Sequence, residues 1–164
     1  MKRDGAMQSL WQAGMEVYNA KNAAIPTGVT DVVIVGGGIT GITTALLLQK
    51  SGLQCVVAEA HNLCFGTTGG TTSHLNTFFD TSYEEVIKDF GELDAQLMAA
   101  SAREALDLFK KHVHEYNIDC GYEEKDGYLY ARDKEQWDEL EKIYKASKKA
   151  GADVIYADSI PVPI

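Results

Sequence analysis

Asp31-Val32-Val33-Ile34-Val35-Gly36-Gly37-Gly38-Ile39-Thr40-Gly41, running on through an apolar stretch to Leu48 and then to Cys55-Val56-Val57-Ala58-Glu59, decides how this chain folds. The β-branched run Val32 to Val35 leads directly into Gly36-x-Gly38-x-x-Gly41, and such a run suits a strand covered on both faces. Strand, tight turn and helix follow in that order. Gly36 permits the turn, Gly38 lets the backbone approach a pyrophosphate without a Cβ in the way, and Gly41 lets the helix pack closely on the strand. The unpaired amides at the helix start, at Ile39 and Thr40, would then face the phosphates from the positive end of the helix. From Ile42 the chain is rich in helix formers, with Ala45, Leu46, Leu47 and Leu48 expected on the buried side and Ser51-Gly52 as the stop. A second short strand ends in an acid, Glu59. Glu59 stands 18 positions after Gly41, close to the spacing at which a carboxylate at a strand's C-terminal end accepts hydrogen bonds from an adenosine ribose.

A glycine fingerprint by itself also marks ordinary turns in unrelated α/β proteins. Here strand, helix, second strand and terminal acid all agree with dinucleotide binding. The acid argues against a 2′-phosphate on that ribose, because two anions in contact repel. FAD and NAD are left.

Composition narrows the field further. The 164 residues carry a net charge of -9 and a pI near 4.8, which disfavours a nucleic-acid or anionic membrane surface as partner. The apolar runs are shorter than a membrane span, and the N-terminus has no secretory pattern, so the expected location is cytoplasmic. Cys55, Cys64 and Cys120 have no C-x-x-C spacing, so neither a disulfide framework nor a metal site is expected.

The second informative stretch is Ala60-His61-Asn62-Leu63-Cys64-Phe65-Gly66-Thr67-Thr68-Gly69-Gly70-Thr71-Thr72-Ser73-His74-Leu75. Every side chain from Gly66 to Ser73 is small. Such a segment builds no core, but it can lie along a ligand and offer amides and hydroxyls to phosphate and polyol oxygens. An NAD enzyme would more often continue with another helix and strand, so the long loop favours the larger cofactor. A flexible polar linker is the bland alternative.

Before the first strand, Leu10, Trp11, Met15, Val17 and Tyr18 read as a short amphipathic arm, with Ile25-Pro26-Thr27-Gly28 as a turn. After the loop, Ser82-Tyr83-Glu84-Glu85 has the form of a capping box. A longer helix is expected from about Glu92 to Tyr116, with Leu93, Leu97, Ala100, Ala105, Leu108, Phe109, Val113 and Tyr116 at helical spacing. His112 and His114, two apart, fall on different faces and make a poor metal pair. From Asp119 the period changes to two. Cys120 to Glu124 and Tyr128 to Ala131 read as a hairpin around Asp126-Gly127. Asp133 to Gln136 can cap a further helix with Trp137, Leu140, Ile143 and Tyr144 inside, Asp153 to Tyr156 reads as a strand, and the proline-rich end closes nothing. Open sheet edges of this kind favour self-association unless paired or covered.

On these residues the chain resembles the FAD-dependent oxidoreductases of the D-amino-acid oxidase and glycine oxidase superfamily, and within it the branch that sometimes carries a C-terminal Rieske iron-sulfur domain. The carriers are Thr30 to Gly38, Glu59, the Gly66-Thr72 loop, Asp126-Gly127-Tyr128-Leu129-Tyr130, and the opening Met1 to Gly5 with Ser9-Leu10-Trp11. The resemblance implies that Thr67, Thr68, Gly70, Thr71 and Thr72 contact the cofactor along its pyrophosphate, ribityl and ring. Some relatives bond the flavin covalently through a histidine of this loop. Gly70 aligns with that position and His74 is out of register, so non-covalent binding is implied. The family's substrate-binding residues would lie beyond Ile164, and no Rieske ligand set is present.

The expected architecture is therefore α/β: a Rossmann-like FAD/NAD(P)-binding βαβ unit with a helical insertion and the start of an antiparallel substrate-domain sheet. Its divisions would be an arm (1-28), the FAD unit (29-80), a helical segment (81-118) and the start of a cap domain (119-164). The expected function is the N-terminal FAD-binding part of an oxidoreductase acting on an amine or amino-acid C–N bond. Its cofactor contacts would be Gly36, Gly38, Ile39, Thr40, Gly41, Glu59, Ala60 and the loop residues Gly66, Thr67, Thr68, Gly70, Thr71 and Thr72. No residue is assigned as catalytic. A truncated fragment acting only by association, or an NAD enzyme, are the rival expectations.

Overall fold

The computed structural model describes residues 9-14, 18 and 27-161. Met15, Val17, Ile25 and Pro26 of the expected arm lie outside them, as do the last three residues of the proline-rich end. The chain divides into two compact units, Met1–His74 and Leu75–Ile164.

In the first unit a short helix, α1 (Leu10–Ala13), precedes β1 (Val32–Val35), α2 (Ile39–Lys50) and β2 (Cys55–Ala58). The strands run parallel with Val32 opposite Cys55 and Val35 opposite Ala58, as the crossover through a helix requires. Both ends of the ladder are tied. Asp31 accepts the Gln54 N–H on Oδ2 at 2.8 Å and donates its own N–H to the Gln54 carbonyl at 3.0 Å. At the other end the Gly36 N–H donates to the Ala58 carbonyl at 2.8 Å.

Two expectations are corrected in this unit. Val32 and Ile34 are partly covered, but Val33 and Val35 stay 61% and 88% exposed, so β1 is covered on one face. A single helix can shield only one side of a two-stranded ladder, and side chains alternate along the strand. In α2 Ala45 is buried, Leu46 and Leu48 are partly buried, and Leu47 is exposed, because four consecutive helical residues cannot share one side.

The second unit is helical: α3 (Tyr83–Phe90), α4 (Glu92–Glu115) and α5 (Lys134–Lys149). The capping box at Ser82 forms, the Glu85 N–H donating to Ser82 Oγ at 3.3 Å and the Ser82 N–H to Glu85 Oε2 at 3.1 Å. Gly91 makes the corner between α3 and α4 at φ +95°, a conformation that glycine enters without steric cost. The core gathers Tyr83 and Val86 of α3, Ala95 and Ala99 of α4, and Ala146, Ala150 and Ala152 at the end of α5. Tyr83 keeps its hydroxyl satisfied inside by donating to the Thr77 carbonyl at 2.8 Å.

The inner face of α4 is the alanine stripe Ala95, Ala99 and Ala102, while Leu93 and Leu97 of the expected stripe are 80% and 66% exposed. Both stripes have helical spacing, and small side chains permit the closer helix contact. The expected hairpin is also absent: residues 121-131 form no strand. A lone two-stranded hairpin is marginal. Here its first arm is drawn onto α4 instead, Tyr122 against Phe109 with ring centroids 5.7 Å apart and Glu124 paired to Lys110. The expected strand 153-156 likewise forms no ladder, because Tyr156 packs edge-on against Trp137 and Tyr144 of α5 at 5.7 and 5.4 Å.

Candidate cofactor site

The first unit brings the β1–α2 turn, the end of β2 and the small-residue loop together. Gly36 sits at φ +103° with nothing within 4 Å of where a Cβ would stand. At Gly41 an added Cβ would come within 2.0 Å of the Gly36 carbonyl oxygen and 3.3 Å of Ile34 Cγ2, so this glycine seats α2 on β1. Gly38 differs from it. A Cβ there would meet only Thr68 Oγ1, at 3.2 Å, so the fold itself does not demand glycine at this position. The backbone is bare there, as close approach by a pyrophosphate requires.

At the start of α2 the Ile39 N–H donates to Thr68 Oγ1 at 3.1 Å. The Thr68 hydroxyl proton is then available to an outside acceptor. Among the described residues no acceptor meets the Thr40 or Gly41 N–H, as is usual in the first turn of a helix. Thr40 itself is exposed, and its carbonyl takes the Thr44 hydroxyl at 2.8 Å. Positive helix end, open amides and a hydroxyl donor make a surface suited to phosphate oxygens.

Glu59 is fixed rather than free. Oε2 accepts the Gly37 N–H at 2.7 Å and Oε1 accepts the His61 N–H at 2.8 Å. These bonds, that from Gly37 foremost and then that from His61, hold the carboxyl below its ordinary value of 4.5. Each carboxylate oxygen has a second lone pair, so a fixed anion at the end of β2 can still accept from vicinal ribose hydroxyls. Gly37, which the fingerprint alone did not single out, is packed into the same corner as Glu59. Its Cβ would stand 2.5 Å from Leu63 Cδ2 and 3.3 Å from Glu59, and its place in the middle of three consecutive glycines was the available signal.

The loop after β2 is a series of turns through residues 63-70. Cys64 donates its N–H to the Gly37 carbonyl at 2.9 Å and sits at φ 58°. Burial, and then the Glu59 carboxylate, push its thiol up, so it is a packed group and no thiolate nucleophile. Gly70 donates to the Gly66 and Thr67 carbonyls at 3.3 and 3.2 Å, and Thr71 Oγ1 accepts the Ser73 N–H at 3.2 Å. Thr67, Gly70, Thr71 and Thr72 are exposed, Gly66 and Thr68 partly so. Of the expected loop contacts, Thr68 is the one bonded directly to the start of α2. Among the described residues no three His, Cys, Asp or Glu side chains gather as a metal site, and no helix is long and apolar enough to cross a membrane.

A bare turn at Gly38, open helix-start amides and a held carboxylate fit the adenosine diphosphate portion of a dinucleotide. The family model described as FAD dependent oxidoreductase, designated DAO, matches residues 31–159. YhfW of Bacillus subtilis, a protein named for a Rieske 2Fe-2S iron-sulfur centre, is 37% identical over 82% of this chain and 26% of its own. The gamma-glutamylputrescine oxidoreductase of Escherichia coli is 32% identical over 56% of the chain and 22% of its own, and the oxidoreductase named OrdL of Haemophilus influenzae 29% identical over 73% and 27%. The chain thus spans about a quarter of the length of these curated relatives. No solved structure matches it significantly. A match over most of the chain to one family model makes it a member of the DAO family of FAD-dependent oxidoreductases, whose cofactor is FAD.

Proposed function

We propose that this chain is the FAD-binding portion of an oxidoreductase that oxidises a C–N bond of an amine or amino acid. The observation that carries the reading is Gly38, where the fold leaves the backbone bare beside the open end of α2 while packing Gly37 and Gly41 closely. Gly36, Gly38, Ile39, Thr40 and Gly41 would hold the pyrophosphate, Glu59 and Ala60 the adenosine ribose, and Gly66, Thr67, Thr68, Gly70, Thr71 and Thr72 the path toward the flavin. FAD, when bound, supplies the hydride acceptor. The work of these residues is to bind, orient and neutralise, and none serves as an acid or base. The amine class is supported by the likeness to gamma-glutamylputrescine oxidoreductase.

The test is a calorimetric titration of the purified chain with FAD and, separately, with NAD. Saturable FAD uptake with no comparable uptake of NAD is expected. Uptake of NAD alone, or of neither, would overturn the reading.

A further inference from the structure

The loop that would follow the cofactor has little means of holding its own shape. From Gly66 to Ser73 its side chains are all small, and ordering each residue costs backbone entropy, glycine the most. The restraint comes from the N-terminal arm. Ser9 Oγ donates to the Gly69 carbonyl, Trp11 Nε1 to the Thr71 carbonyl at 2.9 Å, and Gln12 Nε2 to the Phe65 carbonyl at 3.5 Å. The arm is itself braced for this. Its capping box ties the Ser9 N–H to Gln12 Oε1 at 3.1 Å and the Gln12 N–H to Ser9 Oγ at 3.2 Å. Contact is close, because a Cβ on Gly69 would stand 2.2 Å from Gln12 Nε2.

The peptide plane turns these bonds into a direction. In a trans peptide the C=O of one residue and the N–H of the next point to opposite sides, and none of the described peptides is cis. With the Phe65 and Thr71 carbonyls drawn to the arm, the Gly66 and Thr72 N–H groups point away from it. Neither amide finds an acceptor among the described residues. We propose that Ser9, Trp11 and Gln12 are positioning residues that hold the loop carbonyls on the arm side and thereby present loop N–H groups to the anionic and polyol portion of the cofactor. This rests on the FAD reading for its purpose, but the clamp itself can be judged without FAD.

The experiment uses the full chain, wild type against the double variant Ser9→Ala with Trp11→Phe, which keeps the indole's apolar bulk in part and removes two donors. Amide hydrogen exchange in the FAD-free protein is measured first. Exchange at Gly69 and Gly70 is expected to quicken about tenfold while the β1 and α2 amides hold, since two hydrogen bonds of modest net strength are lost together. FAD affinity should fall about tenfold on the same scale, and restoring a hydroxyl with Ser9→Thr in the Trp11→Phe background should recover part of it. If the double variant melts early, the single Trp11→Phe variant is read in the same way. Unchanged loop exchange, or quickened exchange with unchanged FAD affinity, overturns the proposal. If the wild type takes up no FAD, the functional reading fails, and the exchange comparison still decides whether the arm holds the loop.

Discussion

An added Cβ at Gly41 would stand 2.0 Å from the Gly36 carbonyl oxygen, a backbone atom that cannot swing aside. Gly41→Ala should therefore destabilise the first unit, by about 1–3 kcal/mol on the scale of overpacked cores, in denaturant unfolding followed by circular dichroism. A stability equal to wild type would mean that α2 is not seated on β1 through this contact. Glu59 gives a prediction in pH. Its carboxyl is held below 4.5 by the Gly37 and His61 amides, so the charge and the contacts it makes are present above that value and are lost as pH falls through the lowered one. FAD affinity of the wild type should stay level from neutral down to about pH 5 and fall in acid. Glu59→Gln should bind about tenfold more weakly at neutral pH, the scale of a hydrogen bond to a charged group, and show a smaller acid step. An acid step of full size in the variant would assign the titration to another group.

At the scale of elements, the caps and the βαβ order were open to reading from local chemistry. Ser82 with Glu85, and Val32 to Val35 ahead of Gly36, each carry their instruction within a few residues, and α3 and β1 follow it. Ser82→Ala should lower the melting temperature by the equivalent of about 1 kcal/mol, the usual effect of losing an N-cap. No change would show that the first turn of α3 is held by Tyr83 packing alone. What the sequence could not convey depends on partners distant along the chain. On α4 the leucine stripe 93/97 outranks the alanine stripe 95/99/102 in apolarity, yet the close approach of α3 after the Gly91 corner selects the alanines. Asp126-Gly127 is a sound turn signal, but the strand beside it had no sheet to join, and Tyr122 and Glu124 found Phe109 and Lys110. At the candidate site, the bare turn at Gly38 and the place of Glu59 just after β2 were legible from spacing. The hold of Gly37 on Glu59 and of the arm on the loop was not, because hydrogen bonds across 22 and 60 positions leave no periodic trace.

For the whole molecule, every proposed FAD contact falls within the unit Met1–His74, and Leu75–Ile164 contributes none. Binding should then depend on one bare position in the first unit. The most direct measurement is an equilibrium FAD titration of the wild-type chain beside Gly38→Val, with melting temperatures recorded for both. A Cβ at Gly38 meets only the Thr68 hydroxyl, whereas its branched methyls would occupy the pyrophosphate's approach. The account predicts saturable FAD binding by the wild type and none detectable by the variant, at nearly equal melting temperatures. Equal FAD affinity in the two proteins would contradict it.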